Sequence, residues 1–138
     1  MLGNVKSKAY REIRTLLGNF KTDNKEKKIV IACDGEINLN ENIKDAFCGI
    51  CDGGNKRALA LFEKQKLNVI TCGMGSKNSV SVTSIGENRI ILAFLRGFYC
   101  VNGNFFEPQE EKIDLNGNFS SFAVMAAYTA KKVLCIST

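Results

Sequence analysis

Histidine is absent from all 138 residues, which removes at once the commonest general base at neutral pH and the commonest zinc-ligating side chain. Many enzyme classes thereby lose their usual machinery. Also lacking is any apolar run of the roughly 18 to 20 residues needed to cross a bilayer. The opening stretch, MLGNVKSKAYREIRTLLGNF, is interrupted by charges throughout and has no apolar export-signal core, so a cytoplasmic chain without a membrane partner is expected. Six cysteines are present; in a reducing compartment they are expected as free thiols rather than as a disulfide framework.

What is present fits one globular domain with a real core: 45% of residues are hydrophobic and 24% charged. The net charge of +5 resides wholly in the first 28 residues, where Lys6, Lys8, Arg11, Arg14, Lys21, Lys25, Lys27 and Lys28 face only Glu12, Asp23 and Glu26. Such a basic arm would suit nucleic acid or an acidic partner. Val5, Tyr10, Ile13, Leu16, Leu17 and Phe20, however, recur at helical spacing, which favours an amphipathic helix docked on the domain with its basic side chains in water. Nucleic acid is therefore not expected as a partner.

Three segments repeat one form, a short β-rich run closed by a turn: KKIVIACDG, DAFCGICDGG and LNVITCGMG. Between the second and third lies NKRALALFEKQK, where Ala58, Leu59, Leu61 and Phe62 suit a helix packed on a sheet. Strand, helix and strand with short connections imply parallel pairing, with Ile29 to Ala32, Phe47 to Ile50 and Val69 to Thr71 as neighbours. The NLNENIKDAF segment predicts one or two helical turns at most. After Gly75 the pattern alternates, through SVSVTSI, RIILAFLRGFYCV and NFFEPQEEKIDL with GEN and NGN turn signals, predicting an antiparallel meander over 76–116. FSSFAVMAAYTAKKVLC reads as a closing helix over 117–138, capped by Asn118 or Ser120. The expectation is an α/β domain: a basic N-terminal helix and linker (1–28), a short parallel sheet with helices (29–75), a small antiparallel β subdomain and the closing helix.

Three of these segments carry a resemblance. VITCGMGSKNSVSVTSI is similar to the stretch of the Mur peptide ligases, ATP-dependent enzymes of peptidoglycan precursor synthesis, in which a strand ends in T-F-G and enters an antiparallel subdomain. LNGNFSSFAVMAAYTA resembles that family's G-H/F-N-x-x-N-x-x-A-A segment at a helix start, and ICDGGNKRALALF its N-A-D-D strand with the following helix. The likeness spans roughly residues 45 to 136. It implies a reduced, stand-alone version of the ligases' central domain and a link to cell-wall precursor chemistry.

The same resemblance defines what is missing. The family's glycine-rich P-loop, G-T-N-G-K-T-T, has no counterpart; Gly53, Gly54, Asn55 and Lys56 in CDGGNKRALALF come nearest. That turn is too short to wrap phosphates, and Arg57 stands where a Mg²⁺-binding hydroxyl belongs. The reading preferred for it is a strand-to-helix turn whose glycines permit positive φ. The family's two adenine-contacting asparagines fall on Ser120, which keeps one hydrogen-bonding group, and Ala123, which keeps none. The family's magnesium-holding histidine and carbamylated-lysine segment are also missing, and a chain without the family's flanking domains is expected. No cofactor is expected, ATP with magnesium being the alternative.

Independently of the resemblance, Cys33, Cys51 and Cys72 each close a predicted strand, so three thiols would lie along one sheet edge, where open α/β sheets bind ligands. A metal or redox site and simple packing beside glycine turns are the two readings. Cys48 and Cys51 form one C-x-x-C, but within a strand, where their side chains point to unlike faces. Asp34 and Asp52 sit in the same turns, as Mg²⁺ ligands or, preferably, as Asx-type caps. Phe98, Tyr99, Phe105 and Phe106 form an aromatic series read as the core of the small sheet; as a stacking platform it has only Arg96 among it. The function expected is a non-catalytic, truncated Mur-ligase-like module that binds a small ligand or another protein, self-association included. The alternatives are a ligase part completed by a partner chain that supplies the P-loop, and a thiol-based redox or metal protein.

Overall fold

The computed structural model describes residues 1–18 and 28–136. Its elements in chain order are α1 (Lys8–Leu17), β1 (Ile29–Ile31), β2 (Cys48–Asp52), α2 (Lys56–Lys64), β3 (Val69–Cys72), β4 (Val80–Ile85), β5 (Arg89–Phe94), β6 (Phe98–Tyr99), β7 (Phe105–Phe106), β8 (Gln109–Asp114) and α3 (Ser121–Val133). One six-stranded sheet runs β1-β2-β3-β4-β5-β8, and β6 with β7 forms a separate two-stranded sheet.

The three repeated runs are the adjacent parallel strands expected of them, with Ile50 paired to Ile31 on one side and Ile70 on the other. β4 is also parallel to β3, through the single pair Cys72–Val80, whereas β4, β5 and β8 pair antiparallel. The antiparallel part is therefore not a detached subdomain but the continuation of the same sheet. Two further expectations change here. The long alternating runs break at Arg96-Gly97 and at Glu107-Pro108, so that β6 and β7 leave the sheet as a hairpin. The cause is local: the N–H groups of Leu95 and Arg96 both turn to the Ser79 carbonyl, and Pro108 has no N–H to donate. NLNENIKDAF holds turns and no helix.

The two faces of the sheet are covered differently. α3 is small-residue-rich and buried almost all round, through Ala123, Val124, Met125, Ala126, Ala127, Ala130 and Val133, and it packs with α1 over Ile31, Ile50, Ile70 and Leu92. α2 covers the other face with Ala58, Leu61 and Phe62 against Val30, Ala32 and Cys51. Gly49 belongs to this packing, because a Cβ there would lie 2.7 Å from the buried Phe62 ring. α1 is the docked amphipathic helix: Ile13 is fully buried while Lys8, Arg11 and Arg14 face water. Val5 lies before the helix and is 61% exposed, so it takes no part in the apolar stripe, and Phe20 lies outside the described residues. Leu2 adds an isolated parallel bridge to Ala32 at the outer edge of the sheet, which the sequence did not signal.

Candidate functional site

Of the concave regions among the described residues, two stand at opposite ends of the parallel strands. At the carboxyl ends, a cleft of about 460 Å³ is lined by Cys33, Asp34, Asp52, Gly54, Asn55 and Lys56 among others. This is where the sequence placed its candidates, and the local chemistry is already committed. Asn55 caps α2, its Oδ1 accepting from Ala58 N at 3.1 Å while its Nδ2 donates to the Asp34 carbonyl at 2.7 Å. Asp52 Oδ1 accepts from Gly54 N at 2.7 Å. Asp34 accepts from the N–H groups of Glu36 and Asn4 at 2.8 and 3.0 Å. Both aspartates thus make the Asx-type bonds expected of turn carboxylates. Lys56 opens α2 exposed to solvent, and Arg57 donates to the Ile37 carbonyl.

The glycines of this turn have a different cause from the one expected. Neither Gly53 nor Gly54 has positive φ. Gly53 is instead required by a close approach: a Cβ on it would overlap the Asn78 side-chain oxygen, and one on Gly73 would lie 2.9 Å from Asn78 Nδ2. Asn78 is buried, and its amide donates to the Met74 and Gly75 carbonyls at 3.2 and 3.3 Å. Two of the three strand-end glycine turns therefore fold around one asparagine.

Ser120 is the N-cap of α3, its Oγ accepting from Ala123 N at 3.3 Å and its own N–H donating to Glu12 Oε2 at 2.8 Å. It does not line the strand-end cleft with the other candidates. The cysteine row forms along the sheet, but its thiols divide between the two faces: Cys33 and Cys72 face the α1–α3 cluster, and Cys51 faces α2. Cys48 and Cys51 likewise point to unlike faces. Among the described residues no group of three His, Cys, Asp or Glu side chains is arranged to hold a metal. Burial pushes the Cys33 thiol up to about 11, with neighbouring Asp34 adding to the shift and the N-terminal ammonium opposing it. Cys48 and Cys51 rise to about 12, again chiefly by burial. Burial raises Cys72 and Cys100 as well, which leaves Cys135 as the exposed thiol. Buried thiols held protonated are poor nucleophiles and poor metal ligands.

The second concavity lies at the amino ends of β2 and β3 and was not found from the sequence. It is a groove of about 500 Å³ bounded by Phe47, Cys48 and Asn68–Ile70 on one side and by Arg96–Tyr99 and Phe105 on the other. Tyr99 is 64% and Phe105 45% exposed, and their rings meet edge to face at 5.0 Å. Gly97 permits this wall, since a Cβ there would run into the Phe105 ring and lie 2.7 Å from the Phe106 carbonyl. Among the described residues Arg96 is its one charged lining residue. The aromatic series thus divides: Phe98 and Phe106 stack at 5.0 Å and join the core, whereas Tyr99 and Phe105 face the groove. The one signal in the sequence was Gly97, which interrupts an otherwise continuous strand pattern.

Compared with models of known protein families, with curated proteins and with solved structures, the chain matches none. Among the described residues no helix is long and apolar enough to cross a membrane.

Proposed function

We propose that this chain is a non-catalytic binding domain of Mur-ligase central-domain-like design, and that its working surface is the aromatic groove rather than the strand-end cleft. The observation that carries this reading is the exposure of Tyr99 and Phe105 beside Arg96, in a concavity with no acidic lining residue among the described residues. Large apolar side chains left exposed in a concave setting are the usual mark of a binding site. Support from the other end of the strands is chemical. The turn of Gly53, Gly54, Asn55 and Lys56 spends its polar groups on capping its own helix, and an aspartate already accepts from its free N–H. A link to cell-wall precursor metabolism rests on the sequence resemblance alone.

Anilinonaphthalene sulfonate, an aromatic anion, tests the groove directly. Fluorescence titration of the folded protein is expected to give one saturable site, and Tyr99→Ser with Phe105→Ser is expected to weaken it by about tenfold, the order of one lost aromatic contact. Calorimetric titration with MgATP tests the competing site. Micromolar binding that Lys56→Ala abolishes would overturn the proposal and make the strand-end turn a shortened phosphate loop.

A further inference from the structure

The groove has a backbone edge as well as an aromatic wall. In the parallel ladder between β2 and β3, Gly49 donates to the Asn68 carbonyl, and Gly49 stands opposite Val69. Alternation along a parallel strand then sends the polar groups of residue 70 toward β2 and those of residues 69 and 71 the other way. On that far side β4 meets β3 only at Cys72–Val80, so β4 begins where β3 ends. The Val80 bridge and the Ser79 N–H, which donates to Thr71 Oγ1 at 3.1 Å, engage the upper end. Below them, among the described residues, the N–H and C=O of Val69 and the N–H of Thr71 have no strand beside them. Val69 lines the groove, across which run Arg96, Gly97, Phe98 and Tyr99, and Thr71 follows directly on Ile70, the last residue of β3 to line it. Unpaired main-chain groups on an edge are a template for another strand.

From this the geometry points to one occupant, an extended acidic peptide segment of a partner protein. It would lie along Val69–Thr71 in line with the start of β4, with an apolar or aromatic side chain against Tyr99 and Phe105 and a carboxylate on Arg96. The inference rests on the groove being the working surface and adds what fills it. Strand addition draws affinity from main-chain bonds and selectivity from alternate side chains. The edge offers only three main-chain groups, so the side-chain contacts carry a large share. Charge complementarity sets the sign: among the described residues Arg96 is the groove's only charged lining residue, exposed and with one Nη1 bond to the Lys77 carbonyl at 3.1 Å that leaves its other donors open. A second copy of the folded chain fits less well, because the open stretch is only about three residues long and β4 begins directly above it. A single extended segment does fit.

The test selects peptides from a random ten-residue display library on the full chain, with the Tyr99→Ser, Phe105→Ser double variant as the control surface. Both substitutions fall on exposed side chains and leave the core intact. Enriched sequences are expected to combine an aromatic or large apolar residue with Asp or Glu, and Arg96→Glu is expected to reverse the charge preference. A synthetic copy of the best sequence should slow hydrogen exchange at the Val69 and Thr71 amides by at least about tenfold. Single N-methylation at its groove-facing amides should weaken it by a similar factor. Enrichment equal on protein and control, or a binder that leaves both amides unprotected, overturns the inference. If the naphthalene sulfonate still binds in that case, the groove reading survives and only the peptide is excluded; if neither binds, both fail.

Discussion

Replacing Gly53 by alanine separates the packing account of the strand-end turn from a phosphate-binding one. A Cβ at residue 53 overlaps the Asn78 side-chain oxygen. The amide end of an asparagine is ordinarily easy to displace, but here it is buried and donates to two carbonyls, Met74 and Gly75. Moving it loses two hydrogen bonds worth about 0.5 to 1.5 kcal/mol each. Overpacking that remains costs about 1 to 3 kcal/mol. Against this, replacing glycine removes freedom from the unfolded chain and returns about 0.4 to 1 kcal/mol. The net expectation is a loss of about 1 to 5 kcal/mol, read as a lower midpoint in urea unfolding followed by circular dichroism. Because the clash is with one side chain, Asn78→Gly in the same molecule should remove part of the penalty, giving a coupling energy above about 1 kcal/mol. A loss below about 0.5 kcal/mol, or two costs that simply add, would refute the argument that Asn78 is what the glycine accommodates.

Gly97→Ala should cost about 1 to 3 kcal/mol and displace Phe105, because the new methyl meets both that ring and the Phe106 carbonyl; Phe105 side-chain resonances would report the displacement. Asn55→Ala removes the α2 cap and the amide bond to the Asp34 carbonyl, with an expected loss of about 1 to 2 kcal/mol in the same unfolding assay. Stability should be full below pH 9, the ordinary thiol value, and fall as pH rises toward 11 and 12, since the unfolded chain releases thiol protons that folded Cys33, Cys48 and Cys51 retain. Cys48→Ala should flatten that fall by up to about 1.4 kcal/mol per pH unit, measured by unfolding at stepped pH. A colorimetric thiol titration at pH 8 should label Cys135 rapidly and the five buried cysteines only on unfolding.

The local elements were legible because each is written in short-range chemistry. β-rich runs ending in Cys33, Cys51 and Cys72 gave the parallel strands, the apolar spacing of Ala58, Leu61 and Phe62 gave α2, and Asn118 or Ser120, of which Ser120 is the cap, marked the start of α3. The opposite facing of Cys48 and Cys51 followed from the two-residue period of a strand alone. Contacts between distant segments were not written there. Asn78 lies 25 residues from the glycine it packs on, and no local pattern couples them, so Gly53 read as a turn glycine with positive φ. The groove exists because β4 joins β3 at one residue pair and because Gly97 lets the β6–β7 hairpin swing out of the sheet. Sequence by itself determined the three helices, the three parallel strands and most of their apolar faces, since these follow from periodicity and capping. Only the tertiary structure decided which polar groups are already taken and which edge is left open, because hydrogen-bond satisfaction is a property of neighbours in space rather than in the chain.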